Sequence, residues 1–168
     1  MVLIINTTSN SNMSEILKGL LNQKKTDFDV IDTADMNISH CMGCGHCWLK
    51  NPGTCVINDD YAGIMQKIIT ADQLWVISDT ALGFLNHKGK NVFDRILPIL
   101  CIYLVFRGDQ MRHILRYDKR TDIGIIYQGE ANRNYLQQWL DRCTDNLDSK
   151  SLGAYPVAEL KEAAKCMH

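Results

Sequence analysis

MVLIINTTSNSNMSEILKGLL (residues 1–21) joins a continuous apolar run to an amphipathic helical pattern through a polar bend. Val2–Ile5 are apolar on successive residues, which is typical of a parallel-sheet strand covered on both faces. Beyond the bend, apolar residues recur at the spacing of one helix face, at Met13, Ile16, Leu17, Leu20 and Leu21. A buried strand leading directly into such a helix favours an alternating α/β fold.

The rest of the chain repeats this alternation. Further apolar runs predict strands at Phe28–Ile31, Leu74–Ile77, Ile123–Tyr127 and Leu152–Val157. Helical stripes are predicted at Met13–Leu21, Tyr61–Ile69, Asn91–Leu97, Tyr135–Cys143 and Leu160–Met167. Together they predict a doubly wound sheet. Residues 103–117 (YLVFRGDQMRHILRY) depart from the alternation, and we interpret them as a hairpin or flap at the sheet's edge around a Gly-Asp turn.

Composition limits the classes of protein that the chain can represent. A length of 168 residues, with 46% apolar and 22% charged residues, predicts a single domain covering residues 1–168. The net charge of −1 gives no electrostatic reason to expect nucleic acid or an acidic membrane as a partner. Residues 96–106 form an apolar run that is too short to span a bilayer. The N-terminus lacks signal-peptide features, and the seven cysteines therefore predict reduced thiols in the cytoplasm.

The polar bend NTTSNSNMSE (6–15) is the first candidate site, because ligands of doubly wound sheets bind beyond the carboxyl ends of the strands. It contains no glycine, which excludes a Walker A loop and a dinucleotide G-x-G-x-x-G turn. Asn12 and Glu15 predict an N-cap and a capping box. A helix start surrounded by hydroxyls suits one phosphate, although such runs also simply form turns and caps. The hydroxyls belong to Thr7, Thr8, Ser9, Ser11 and Ser14.

A second candidate site is the cysteine segment CMGCGHCWLKNPGTC (41–55), with the spacing C-x2-C-x2-C-x7-C. Its thiols could hold a [4Fe–4S] cluster through Cys41, Cys44, Cys47 and Cys55. The same thiolates could instead bind zinc or form a redox-active disulfide. The third interpretation is a reduced, partly buried loop in which cysteine acts as a small apolar residue. The sequence leaves all three open.

The segment ISHCMGCGHCWLKNPGTCVINDD (38–60), followed by an apolar strand and by SDTALGFLNHKGKNVFDR (78–95), resembles the flavodoxin-like NAD(P)H-dependent FMN reductases, which include iron–sulfur flavoproteins. The resemblance extends from residue 1 to about residue 128. The positions that match the family's cysteine motif are Cys41, Gly43, Cys44, Cys47, Gly53, Cys55, Ile57, Asp59 and Asp60, and Asp94 and Arg95 match the D-R that ends the family's third helix.

This resemblance implies a three-layer sandwich whose five parallel strands have the order 2-1-3-4-5, with helices on both faces. It also implies FMN at the strand ends, with the phosphate held by Thr7, Ser9, Ser11, Asn12, Met13 and Ser14. The flavin ring would lie against Asp79, Thr80, Ala81, Leu82 and Gly83. The chain departs from the family twice: Ser9 replaces the arginine of the first loop, and Ser78–Gly83 lack the usual proline and aromatic residue.

The function implied by the resemblance is that of an FMN-dependent NAD(P)H oxidoreductase. Electrons would pass from NAD(P)H through the flavin to a small acceptor such as a quinone, a free flavin, or a nitro or azo compound. The cofactor carries out the bond chemistry, so no catalytic side chain is assigned. The alternatives are an electron-transfer or redox-sensing protein with a [4Fe–4S] cluster and a degenerate FMN site, and a cofactor-free interaction domain. The family also implies a homodimer.

Overall fold

The computed structural model describes residues 1–168. The strands are β1 Val2–Asn6, β2 Phe28–Asp32, β3 Gln73–Ala81, β4 Phe84–Leu85, β5 Leu100–Arg107, β6 Gln110–Leu115, β7 Asp122–Gln128 and β8 Ser151–Pro156. The helices are α1 Asn12–Lys24, α2 His46–Leu49, α3 Tyr61–Thr70, α4 His87–Arg95, α5 Arg133–Asn146 and α6 Leu160–Cys166. Short 3-10 turns lie at Leu97–Ile99 and Val157–Glu159.

The main sheet contains five parallel strands in the order β2-β1-β3-β7-β8. These are the five strands predicted from the apolar runs, in the spatial order 2-1-3-4-5, so the predicted fold class is confirmed. A sixth strand, β4, was not predicted. It pairs antiparallel with the end of β3 after a turn at Leu82 and Gly83, both of which have positive φ. A strand of two residues is too short to produce a recognisable apolar period.

Helices cover both faces of the sheet, as the continuous apolar runs predict. Leu3 and Ile5 of β1 belong to the core cluster shared with α3, α4 and α5. Val2 and Ile4 belong to the cluster on the opposite face, shared with α1 and α6. All four side chains are fully buried. Successive residues of one strand therefore enter two different cores, and the carboxyl ends of the strands are left between the two helical layers.

Two helices begin differently from the sequence prediction. α1 starts at Asn12 after Ser11, which has helical dihedral angles and makes no side-chain cap, while Glu15 pairs with Lys18. The predicted capping box is therefore wrong. α4 starts at His87 rather than Asn91, because its first turn is polar and carries no apolar stripe. The side chain of Asn86 caps it by accepting a hydrogen bond from the N–H of Gly89 at 3.0 Å.

The departure predicted at 103–117 is an antiparallel hairpin, formed by β5 and β6 around Gly108 and Asp109. It starts slightly earlier than predicted and makes its own two-stranded sheet, with no strand pairing to the main sheet. None of the helices is both long enough and apolar enough to cross a bilayer.

Candidate functional site

The bend between β1 and α1 is organised by Asn6, a residue that the sequence prediction did not select. Its Nδ2 donates to Asp32 Oδ1 at 2.7 Å and to Ser14 Oγ at 3.0 Å. Its Oδ1 accepts the N–H of Thr8 at 3.1 Å and the Thr8 hydroxyl at 2.8 Å. Asn6 and Asp32 are register partners at the ends of β1 and β2. This network holds the bend between β1 and α1 in a fixed shape.

The hydroxyls predicted to line the bend are only partly available to a ligand. The Thr7 hydroxyl donates to the Ile77 carbonyl at 2.9 Å, and the Ser14 hydroxyl donates to Asp32 at 2.7 Å. Together with Thr8, these residues are buried and bonded within the protein. Ser9 and Ser11 are exposed. Two of the five predicted hydroxyls therefore remain free to meet a ligand.

The backbone N–H groups of the bend divide in the same way. Those of Thr7, Thr8, Asn10 and Asn12 already donate to acceptors of the protein. Four others have no acceptor within the chain, and they belong to Ser9, Ser11, Met13 and Ser14. Met13 and Ser14 lie in the first turn of α1, where the helix dipole adds partial positive charge. The missing capping box thus leaves the start of α1 with unpaired N–H groups, an arrangement that suits an anion.

The segment predicted to face a flavin ring lies at the same edge of the sheet. β1 and β3 are parallel neighbours, and Asn6 pairs with Ile77, so the two predicted segments are brought together. The Asp79 carbonyl accepts the N–H of Asn86 at 2.9 Å, and the Thr80 hydroxyl donates to the Gln128 carbonyl at 3.2 Å. Beyond them, Ala81 and Leu82 are exposed at the turn, followed by Gly83. This segment is therefore the end of β3 followed by a tight turn.

An exposed aromatic ring next to this turn was missed by the sequence prediction. Tyr135, in the first turn of α5, lies 5.6 Å from the ring of Phe84 in β4, centroid to centroid. Phe84 in turn packs edge-on against Trp139 at 5.0 Å. Gly83 bridges to Ala131 immediately before α5, which holds the two segments together. Position 81 carries no aromatic residue, but the ring of Tyr135 lies beside the same turn and could take its place.

A cleft of about 130 Å³ opens beside the bend, between the segment that follows β2 and the start of α4. Thr7 lines it at the end of β1, and His40 and His87 line it from opposite sides. The two imidazole rings meet edge to face at 5.7 Å. Because His40 precedes Cys41, this cleft connects the strand ends with the cysteine segment.

The cysteine segment forms a loop whose thiols are not arranged as metal ligands in this conformation. Cys41, Cys47 and Cys55 are partly buried and Cys44 is exposed. No group of three or more His, Cys, Asp or Glu side chains has the geometry to hold a metal ion. The four thiols are nevertheless neighbours: burial raises the pKa of the Cys47 thiol, and charge on Cys55, Cys41 or Cys44 raises it further. Four cysteine thiolates are the donors that a [4Fe–4S] cluster needs, but this conformation of the loop does not direct them to one common point.

The base of this loop is fixed by an ion pair that was not predicted. Arg95 of α4 makes a bidentate pair with Asp59, at 2.9 and 3.0 Å, and both side chains are at most 2% exposed. The same guanidinium donates to the Ser39 carbonyl at 2.6 Å, and the N–H of Ser39 donates to Asp59 at 2.8 Å. The Tyr61 ring lies under the guanidinium at 4.7 Å. We call this arrangement the Asp59–Arg95 clamp.

A second set of contacts strengthens the clamp. Asn91 Nδ2 donates to the Ser39 carbonyl at 3.1 Å, and its Oδ1 accepts the N–H of Cys41 at 3.3 Å. The Asp60 carboxylate accepts the N–H of Asn37 at 2.7 Å. Residues 37–41 and 59–60 are therefore joined to each other and to α4. The aspartates and the arginine of the family motif serve here to hold the cysteine loop in place.

The clamp also explains the ionisation of its members. Burial alone would raise the pKa of Asp59, but hydrogen bonds from Arg95 and from two backbone N–H groups, with the arginine's charge, hold that pKa below its usual range. Burial lowers the pKa of Arg95, and the hydrogen bonds and charge of Asp59 more than compensate, so the net shift is upward. Both groups remain charged at neutral pH, and their separation would leave an uncompensated buried charge.

Comparison with known proteins gives one sequence relative and many structural neighbours. No family model matches the chain. The chain is 33% identical over 75 residues to an iron–sulfur flavoprotein of Methanocaldococcus jannaschii, a match that covers 45% of this chain and 37% of that protein. The matched region is thus little more than a third of the relative's length.

The structural neighbours share the fold over nearly the whole chain. RosB, solved with bound 8-demethyl-8-formylriboflavin-5'-phosphate, superposes with a TM-score of 0.61 at 15% identity, over 92% of this chain and 63% of that one. The flavodoxin of Megasphaera elsdenii gives 0.51 at 12% identity, over 98% of each chain. General stress protein 14 of Treponema denticola, solved with FMN, gives 0.52 at 11% identity, over 98% of this chain and 93% of that one.

These matches establish that the protein has a flavodoxin-like fold. The resemblance predicted from the sequence is confirmed, since two of these neighbours were solved with FMN or a related flavin phosphate and the matched relative is named as an iron–sulfur flavoprotein.

Proposed function

We propose that this chain is an FMN-dependent oxidoreductase, with NAD(P)H as the electron donor and a small molecule as the acceptor. The observation that carries the proposal is the set of four N–H groups without acceptors, on a helix start at the carboxyl edge of a flavodoxin-like sheet. Bound FMN would supply the chemistry of accepting a hydride and passing on its electrons. The chain's own residues bind the flavin, orient it and shield it from water.

The phosphate fits the bend between β1 and α1. In the proposed complex it accepts hydrogen bonds from the N–H groups of Ser9, Ser11, Met13 and Ser14, and from the exposed hydroxyls of Ser9 and Ser11. The dipole of α1 favours the negative charge at this point. No arginine is needed, because the backbone supplies the donors. The Asn6 network holds the bend in this shape before any ligand arrives.

The flavin ring fits the edge formed by Asp79–Gly83. We propose that Tyr135 provides the aromatic contact that position 81 cannot, because its ring is exposed and lies next to β4. A stacked aromatic pair contributes about 0.5–1.5 kcal/mol beyond the area that it buries. Phe84 packs against the Tyr135 ring and is itself packed edge-on against Trp139.

A flavin titration distinguishes the part of the site that binds the phosphate from the part that binds the flavin ring. Ser11→Asp is expected to weaken FMN binding by on the order of tenfold or more, since it adds a negative charge where the phosphate sits. Riboflavin has no phosphate, so its affinity should stay unchanged. Tyr135→Ala should weaken both ligands equally, because it acts on the ring. Quenching of flavin fluorescence measures all four affinities.

The matched control for this titration is Thr54→Asp, which adds the same charge at an exposed hydroxyl residue of the cysteine loop. It should leave FMN affinity close to that of the unaltered protein. Aspartate is also a favourable residue before a helix, so Ser11→Asp should fold normally. Unchanged FMN affinity in Ser11→Asp would remove the bend from the site. No flavin binding by the unaltered protein, with no flavin-dependent oxidation of NADH or NADPH, would overturn the function itself.

A second candidate function is electron transfer or redox sensing through a [4Fe–4S] cluster held by Cys41, Cys44, Cys47 and Cys55. It is favoured by the iron–sulfur relative and by the fixed base of the four-thiol loop. Cluster binding would require the loop interior to close around the metal. Anaerobic reconstitution with ferrous iron and sulfide tests it: a bound cluster gives a brown protein with about four irons per chain. A protein that stays iron-free after desalting would exclude this function.

A further inference from the structure

A cavity of about 260 Å³ lies between the cysteine loop and α3. The loop contributes Thr54 and Cys55 to its wall, and α3 contributes Tyr61 and Met65. Arg95 of α4 is the charged residue among those that line it. None of the residues that we assign to the flavin borders this cavity. A ligand bound here would therefore occupy a second site, distinct from the bend between β1 and α1.

One edge of the Arg95 guanidinium has no acceptor. Asp59 occupies the end of the group, since its two oxygens accept from Nη1 and Nη2, and Nη1 also donates to the Ser39 carbonyl. The other edge consists of Nε–H and the second N–H of Nη2. Nε has no hydrogen-bond partner, although the side chain is only 1% exposed. A buried donor without an acceptor is unfavourable, and two parallel N–H groups of a guanidinium match the two oxygens of a carboxylate.

The charges around the cavity favour one further anion. Asp59 balances the charge of Arg95. A second cation, Arg116, donates to two backbone carbonyls and pairs with no carboxylate. One of those carbonyls belongs to Pro98, which lines the cavity, and a Cβ built on Gly53 would lie 3.0 Å from the Arg116 Cδ. Two arginines and one carboxylate leave a single positive charge at this wall, which one negative charge would balance.

The rest of the wall is suited to an apolar body. Its apolar lining residues are Tyr61, Ala62, Met65, Ile69 and Pro98. Small-molecule sites typically combine such walls with a few polar groups that fix orientation. The cavity is also several times larger than the roughly 30 Å³ that one water occupies in the liquid, so an inorganic anion alone would leave the apolar wall uncovered.

We propose that this cavity binds a small monocarboxylate with an apolar body. The carboxylate accepts hydrogen bonds from the free edge of Arg95, and the body packs against α3. A dicarboxylate or a doubly charged phosphate would bring more negative charge than the two arginines and Asp59 leave to be balanced. The proposal does not depend on the flavin assignment.

Titration calorimetry at pH 7 with benzoate as the probe tests the proposal. Benzoate is expected to bind about tenfold or more tightly than benzamide, which has nearly the same shape but no charge. It should also bind about tenfold or more tightly than acetate, which lacks the apolar ring. In proton–nitrogen spectra, the Nε–H signal of Arg95 should move downfield with benzoate, which reports on the arginine itself without any substitution.

Thr54→Asp is expected to weaken benzoate binding by about tenfold or more, because it supplies a carboxylate from the chain's own wall. Asn51→Asp is the matched control, since it adds the same charge at an exposed residue of the same loop that does not line the cavity. FMN affinity should be unchanged in both variants, so it reports separately on the flavin site.

Three results would overturn the proposal. The first is a benzoate affinity no higher than that of benzamide, which includes the absence of benzoate binding at millimolar concentration. The second is benzoate binding that Thr54→Asp leaves undiminished. The third is competition between benzoate and FMN, which would place the carboxylate in the flavin site instead.

Discussion

Replacing Asp59 with alanine is expected to destabilise the protein by about 3–5 kcal/mol, because removal of one member of a buried ion pair strands the other. Arg95 would keep its charge at 2% exposure with no carboxylate, and its Nε already has no hydrogen-bond partner. Ser39 and Tyr61 would each lose an acceptor for a backbone N–H. Urea unfolding at pH 7 measures the loss, which should appear mainly as a lower midpoint.

Asp29→Ala is the control for this substitution. Asp29 pairs with Lys67 on the surface, where the side chains are 36% and 49% exposed, so its loss should cost less than about 1 kcal/mol. Acid provides a second check. Because the folded pKa of Asp59 is depressed, its stabilisation is complete above its ordinary pKa of about 3.9 and is lost as the pH falls through the folded value. Equal losses for the two variants at pH 7 would show that the clamp does not carry the energy assigned to it.

Gly89→Ala is expected to destabilise the protein by about 1–3 kcal/mol, although alanine favours helices. Gly89 lies in the first turn of α4, directly against β3. A Cβ placed there would lie 2.5 Å from the Cβ of Ser78 and would overlap its hydroxyl. Ser78 is fully buried and bonded to the Asp79 carbonyl, so it has little room to move. Thermal unfolding measures the size and the sign of this change in stability.

The same substitution at Gly63 should have the opposite sign. Gly63 lies in α3, and nothing approaches within 4 Å of the position where a Cβ would be. Gly63→Ala should therefore stabilise the protein by about 0.5–1 kcal/mol through helix propensity alone. A stabilising effect at both glycines would mean that α4 does not press on β3 at Ser78.

Most of the fold could be predicted from the sequence, because β1, β3 and β7 are buried on both faces and appear as unbroken apolar runs. β2 and β8 are weaker runs, but the alternation with helices located them. What could not be predicted depends on contacts between distant residues or on very short elements. β4 has two residues, and α2 is a single turn inside the cysteine loop. No periodic pattern exists at those lengths.

The candidate site was predicted less well than the fold. Residue type shows that Thr7, Thr8 and Ser14 carry hydroxyls, but not that these groups bond to Ile77, Asn6 and Asp32. A polar residue ending each of two adjacent apolar strands, as Asn6 and Asp32 do, is the signal that could have found the network. The motif resemblance included Asp59 and Arg95, yet their pairing spans 36 positions of sequence and became visible only in three dimensions.

The Asp59–Arg95 clamp makes the anchorage of the cysteine loop independent of the chemical state of its thiols. The two segments that enter and leave this loop, residues 37–41 and 59–60, are bound to α4 by side chains that contain no sulfur. The thiols can therefore gain or lose metal, or be oxidised and reduced, while the ends of the loop stay in place. The flavodoxin-like scaffold then needs no metal to assemble, so protein prepared in air, with no metal in the thiol loop, should still unfold in one cooperative transition.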